Sequence, residues 1–228
     1  VSSETGVGCC PMKSQFDRFV TLILGLFVAV VIGCAVPNSE FDTTSASYNR
    51  ALSAGRIKEA LAAYELQARE AEKEANNSSF PLRQWETASM NYKYASQAAR
   101  ASGDLQKSII NGERALQTAE KTDQPFYTLN AVQQLIWAYE AVKIFEKSDA
   151  YIQRGLDLLK QLSQNFESHD GWRGILNDEL GRSFMRKQDY ANAIDAYEAA
   201  IYWYRNSISR LRSENPDLKI GRANIINQ

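Results

Sequence analysis

Histidine is nearly missing from this 228-residue chain, and His169 is the only example. A metal site built from several imidazoles and a paired-histidine acid–base centre are therefore both excluded. The one His lies in the stretch SHDG (168–171), where a solvated loop residue is expected. Cysteine is confined to Cys9, Cys10 and Cys34, so beyond residue 34 the chain can form no disulfide and supply no thiolate. Charge of one sign is not in excess either, with 26 Lys and Arg against 27 Asp and Glu. The basic surplus that nucleic-acid binding draws on is absent, and no nucleic-acid partner is expected. Glycine (12) and proline (5) are sparse, and β-branched alternation is missing. Everything after residue 41 reads as helix. There is no phosphate-cradling loop and no nucleophile elbow. Asp178 and Glu179 adjoin in sequence but should face different directions on a helix. The expectation is a protein that is not an enzyme, with no cofactor, no metal and no small-molecule substrate.

Long apolar runs are missing too, with one exception. Phe19 to Ile32 is 14 residues long, within the range of a signal-peptide core and short for a membrane span. Lys13 and Arg18 precede it, and Gly33, Cys34 and Ala35 follow. The tetrapeptide VIGC (31–34) resembles the lipobox of bacterial lipoproteins: an aliphatic residue, a permissive position, a small residue, then cysteine. That resemblance implies diacylglyceryl transfer to the Cys34 thiol, cleavage before it, and a lipid-anchored mature chain starting there. Several acyl chains on one residue hold a protein stably to a bilayer. Ala35, rather than Asp, follows the cysteine, which by the family's sorting rule implies the outer membrane, facing the periplasm. An uncleaved signal anchor over Phe19 to Val36, in the inner membrane, is the alternative. The expected division is 1–11 over-extended start or disordered leader, 12–33 signal peptide, 34–40 lipidated cysteine and tether, 41–215 helical body, and 216–228 capping segment.

Within the body, four segments share one pattern: SAGRIKEALAAYELQA (53–68), ASGDLQKSIINGERAL (101–116), AVKIFEKSDAYIQRGL (141–156) and RKQDYANAIDAYEAAI (186–201). Each has a large apolar residue closing a turn, at Ile57, Leu105, Phe145 and Tyr190. Three residues later stands a small one, Ala60, Ser108, Ser148 or Ala193, and seven further on come Gln67, Ala115, Gly155 and Ala200. In the last copy Leu180, Gly181 and Phe184 precede this run; in the third, Leu135, Ile136 and Tyr139 do. The pattern resembles the tetratricopeptide repeat, with its Leu-Gly pair, Tyr, turn, and spaced small and aromatic positions. The copies begin at 41, 89, 129 and 174, steps longer than the standard repeat of about 34 residues. Long helices rather than long loops are expected to fill the difference. The resemblance implies an all-α solenoid of about four hairpins. Residues 216–228, with Leu218, Ile220, Ile225 and Ile226, would then form a capping helix over its exposed end. The last second helix should bury a core stripe of Tyr190, Ile194, Tyr197, Ile201, Tyr204, Ile208 and Leu211.

In that family the first helices of the hairpins line a groove that binds peptides or helices of partner proteins. Its groove positions fall here on Asn49, Lys93, Gln97, Arg100, Asn130, Gln133, Trp137, Glu140, Asp178, Arg182 and Met185. Lys93, Gln97 and Arg100 stand at i, i+4, i+7, one face of a helix, where two cations could grip a carboxylate or backbone carbonyls. Trp137 could supply an apolar anchor. The alternative is a solvated helix face with Trp137 tucked into a seam between hairpins. Tyr202, Trp203 and Tyr204 cannot all face one core, and Trp203 is expected under the capping segment. The implied function is a membrane-anchored protein-interaction scaffold of the bacterial envelope, serving secretion, pilus or envelope-complex assembly. A permanent structural subunit of a larger complex or filament is the alternative.

Overall fold

A computed structural model describes residues 50, 53–162 and 169–214, all of which belong to one compact unit, Ala46–Gln228. Cys34, Asn49, the signal segment and the expected cap at 216–228 lie outside the described residues. The described residues form seven helices and no strand: α1 (Ile57–Asn77), α2 (Leu82–Ala101), α3 (Leu105–Ala119), α4 (Pro125–Ala141), α5 (Phe145–Gln161), α6 (His169–Arg186) and α7 (Tyr190–Glu214). The fold class is all-α, as the composition and periodicity led one to expect. Of the first expected helix only Arg50 and Ser53 are described; both are helical. No helix among the described residues is long and apolar enough to cross a membrane.

Ile57, Leu105, Phe145 and Tyr190 each stand first in a helix. Two residues before each, the backbone turns left-handed: Gly55 (φ 70°), Gly103 (φ 83°), Lys143 (φ 62°) and Gln188 (φ 60°). The closing bonds coincide as well. Asp104 N–H donates to Ala99 O, Ile144 N–H to Tyr139 O and Asp189 N–H to Phe184 O, at 2.9 to 3.0 Å. Gly103, Lys143 and Gln188 donate to the carbonyl three residues back. These paired bonds are the Schellman ending of a helix, whose left-handed residue is strain-free only for glycine. Lys143 and Gln188 hold the same conformation at a steric cost. Asp104 and Asp189 add caps, accepting from the backbone N–H of Lys107 (3.1 Å) and Asn192 (3.3 Å). Pro125 opens α4, where its missing N–H is no loss.

Each helix packs chiefly on its sequence neighbours, and α2 also touches α4. Neighbours run antiparallel. Ser96 Oγ donates to Ser108 O (2.8 Å) while Ser89 Oγ donates to Ala115 O (3.1 Å), matching rising numbers in α2 with falling ones in α3. In α6 and α7, a Cβ added to Gly181 would stand 2.7 Å from Cε1 of Tyr197, and one on Gly174 would strike the Tyr204 ring. Glycine is required there because aromatic rings fill the space a methyl would take. Ala60, Ser108, Ser148 and Ala193 are all buried. The buried core is centred on α4, with Leu129, Val132, Leu135 and Ile136 fully enclosed by Ile109, Leu116, Ile152, Trp172 and Leu176.

Three expectations are corrected. Gln67 is exposed, and Ala68 takes the buried small position in α1. His169 is buried rather than solvated: it opens α6, with Nε2 3.2 Å from the Leu159 carbonyl oxygen and its ring edge-on to Trp203. The segment enters a helix instead of remaining loop, which turns the imidazole inward. Most of the expected α7 core stripe is not core. Tyr190 and Ile194 are each 58% exposed and Ile201 is 49% exposed, whereas Ala193, Ala196 and Ala200 make the buried face. The helix rotates so that its alanines meet α6, since glycines on α6 admit Tyr197 and Tyr204 beside them.

Candidate partner-binding face

Helices α2, α4 and α6 carry the expected site residues in one register. Lys93, Gln97 and Arg100 in α2 are half-buried, as are Gln133, Trp137 and Glu140 in α4. Asp178 and Arg182 in α6 are half-buried and Met185 is exposed. The residues between them, such as Ala95, Ala98, Leu135, Ile136 and Ala138, are buried. Spacing of i, i+4, i+7 keeps each trio on one helix face while the helix behind it meets the core. Asn130 departs from the expectation. It is buried, and its Nδ2 donates to the Phe126 carbonyl oxygen (2.9 Å), so it is spent within α4. Asn49 lies outside the described residues.

The three helices are joined across this face by a chain of side chains. The Arg100 guanidinium sits 5.0 Å from the Trp137 ring centroid, a cation–π contact. Trp137 Nε1 donates to Glu179 Oε1 at 2.7 Å. Arg182 Nη2 donates to Asp178 (2.7 Å), and its Nη1 lies 3.7 Å from Glu179 Oε2. Both carboxylates therefore meet one guanidinium, although as neighbours in sequence they point in different directions, Glu179 into the core and Asp178 towards the surface. Arg182, four residues from Asp178 and three from Glu179, lies within reach of both. Next to this, Arg186 bridges Glu140 of α4 and Asp149 of α5, and Lys187 reaches Asp149 at 2.7 Å. Trp137 thus occupies a seam between helices, as the alternative reading had it, and part of it still reaches the surface.

Burial sets the electrostatics. Glu179 is 2% exposed; desolvation raises its carboxyl to about 7, against the lowering influence of Arg182 and the Trp137 N–H. Burial likewise raises Asp178, with Arg182 opposing. Burial also works to raise Asp149, but hydrogen bonds from Lys187 and Ser183 outweigh it and leave its carboxyl below the usual range. Lys93 lies over the Tyr94 ring (5.2 Å) and pairs with no carboxylate among the described residues. Desolvation lowers its ammonium to about 8. The α2 end of the face carries Lys93 and Arg100, and at the α4–α6 end Arg182 and Arg186 are paired with carboxylates.

Comparison with known proteins finds no matching family model and no matching curated protein.

Glu179, Arg186 and Asp149 belong to the face but were not among the expected site residues. One signal could have found Glu179: it occupies the position held by Gln134 in α4 and Tyr94 in α2, and all three are buried. A carboxylate at a position otherwise filled by buried side chains needs a partner from the neighbouring helix. A cleft of about 420 Å3 lies apart from this face, lined in part by Lys58, Lys107, Glu65 and Asp104. Its two lysines and two carboxylates leave the lining without net charge.

Proposed function

We propose that the chain is a protein-interaction scaffold of the bacterial envelope, a tetratricopeptide-like solenoid held to the membrane by lipid on Cys34. Its partner is a peptide or helix laid along α2, α4 and α6. The observation that carries this reading is the Lys93–Arg100–Trp137 constellation: a desolvated lysine without a carboxylate partner beside an arginine stacked on a half-buried indole. A partner carboxylate or a run of backbone carbonyls would restore the interactions that Lys93 lacks. The indole would add an apolar anchor of the type enriched at binding hot spots. The left-handed turn recurring at Gly55, Gly103, Lys143 and Gln188 supports the solenoid part. So do the buried small residues at Ala60, Ser108, Ser148 and Ala193. The VIGC box supports the anchor.

The test combines isolation in gentle detergent with charge reversal. A partner co-purifying with the wild type should be lost from Lys93→Glu/Arg100→Glu while helicity by circular dichroism is kept. Retention of the partner by the folded double variant refutes the face. Mass spectrometry of the amino terminus tests the anchor. A chain acylated at Cys34 is expected, and an unmodified chain retaining residues 12–33 refutes it.

A further inference from the structure

The most exposed apolar surface among the described helices lies on α7, not on the partner-binding face. Tyr190, Ile194, Ile201 and half-buried Ile208 fall within about 40° of one another around a helix of 3.6 residues per turn. Earlier helices show what this surface does elsewhere. Leu61 in α1 and Ile109 in α3 stand as far from their helix starts as Ile194 does, and both are buried. Asp149, at that distance in α5, is engaged by Ser183, Arg186 and Lys187 of the next helix segment. At the distance of Ile201, Ala68 and Leu116 are buried and Leu156 is half-buried. Only in α7 is this surface left uncovered among the described residues.

We propose that a second copy of this chain covers it, with the two α7 helices packed antiparallel about a twofold axis at Ile201. That axis sets Ile201 against its own counterpart and Ile194 against Ile208 of the partner copy. Ile194, Ile201 and Ile208 recur every seven residues, the repeat of one position of a coiled-coil seam, while Tyr197 packs on Gly181 of α6. The charges beside the seam are self-complementary under the same axis. Glu198 comes within one residue of the place opposite Arg205. Glu198 and Arg205 are exposed and ion-pair with no described residue, so both are available for it. A contact that meets itself in this way is what a closed twofold dimer requires. The expected capping helix of residues 216–228 is the rival occupant. The stripe from Tyr190 to Ile208 runs about 27 Å at 1.5 Å per residue. This surface and its occupant do not depend on the partner-binding reading of α2, α4 and α6.

The test uses the full-length chain in mild detergent, with Cys9→Ser, Cys10→Ser and Cys34→Ser as background. Ile201→Cys should cross-link to a dimer on oxidation, since self-facing residues at such an axis fall within disulfide range. Tyr202→Cys, exposed but turned away from the seam, should not. By analytical ultracentrifugation, Glu198→Arg should weaken the dimer about tenfold, since the axis breaks each pair twice. Adding Arg205→Glu should restore it. Equal cross-linking by the two cysteines, or none from Ile201→Cys, overturns the proposal. So does a charge swap that fails to restore association, or a chain that dimerises only after residues 215–228 are deleted.

Discussion

Trp137 Nε1 donates a 2.7 Å hydrogen bond to Glu179 Oε1, tying α4 to α6 through a carboxylate that is almost wholly buried. Removing the donor leaves that carboxylate with one fewer partner in a site of low polarisability. Trp137→Phe should therefore cost about 1–3 kcal/mol in urea unfolding at pH 8. At pH 5, where Glu179 holds its proton, the loss should be smaller.

The same carboxylate makes stability depend on pH. Its folded value, about 7, lies above the ordinary glutamate value of 4.5, so the folded state holds the proton more tightly. The stabilisation is complete below about pH 4.5 and is lost as pH rises through 7, a span of about 3 kcal/mol by linkage. Glu179→Gln should flatten the stability profile between pH 5 and 8. An unchanged slope in that variant would show that the burial of Glu179 does not govern the profile. Asp149, held below its usual range, acts in the opposite sense and only at lower pH.

Lys93 has the reverse sign. Its ammonium is lowered from 10.5 to about 8, so the charged form is disfavoured in the folded chain at neutral pH. Lys93→Met should raise stability at pH 7 by on the order of 1 kcal/mol, allowing for the exposure that remains. It should also weaken binding of any partner that supplies a carboxylate. A gain in stability with a loss of binding is the signature of a residue kept for recognition.

Lys143 and Gln188 occupy the left-handed position that Gly55 and Gly103 hold elsewhere. Lys143→Gly and Gln188→Gly should each raise the melting midpoint, by about 1 kcal/mol in stability, because strain is released. Gly103→Ala should lower it by a similar amount. Differential scanning calorimetry on the three variants measures both directions.

Gly181 meets the Tyr197 ring where a side chain would stand. Gly181→Ala should destabilise the α6–α7 pair by about 1–3 kcal/mol, the usual cost of overpacking a close contact. Hydrogen exchange should speed up in α6 and α7 first and leave α2 and α3 less affected.

Much of the fold was legible along the chain. Ile57, Leu105, Phe145 and Tyr190 were expected to close turns, and each begins a helix. Such starts are set by a few adjacent residues, by caps such as Asp104 and by the small residues that follow. Membership of Lys93, Gln97 and Arg100 in one helix face was legible for the same reason, since periodicity alone decides it. Asn130 shared that periodicity, but its amide turned back onto the Phe126 carbonyl.

The sequence by itself determined the all-α character of the described residues, where most helices start, and which residues share a helix face. Each of these follows from backbone contacts three or four residues apart. The tertiary structure alone decided which of those faces are covered. It buried Glu179 against Trp137, 42 residues earlier, and Gly181 against Tyr197. It left Ile194 open, although Ile109 at the corresponding place is enclosed. Periodicity marks a face as apolar, but burial needs a second surface, and that surface comes from residues far away in the chain or from another chain.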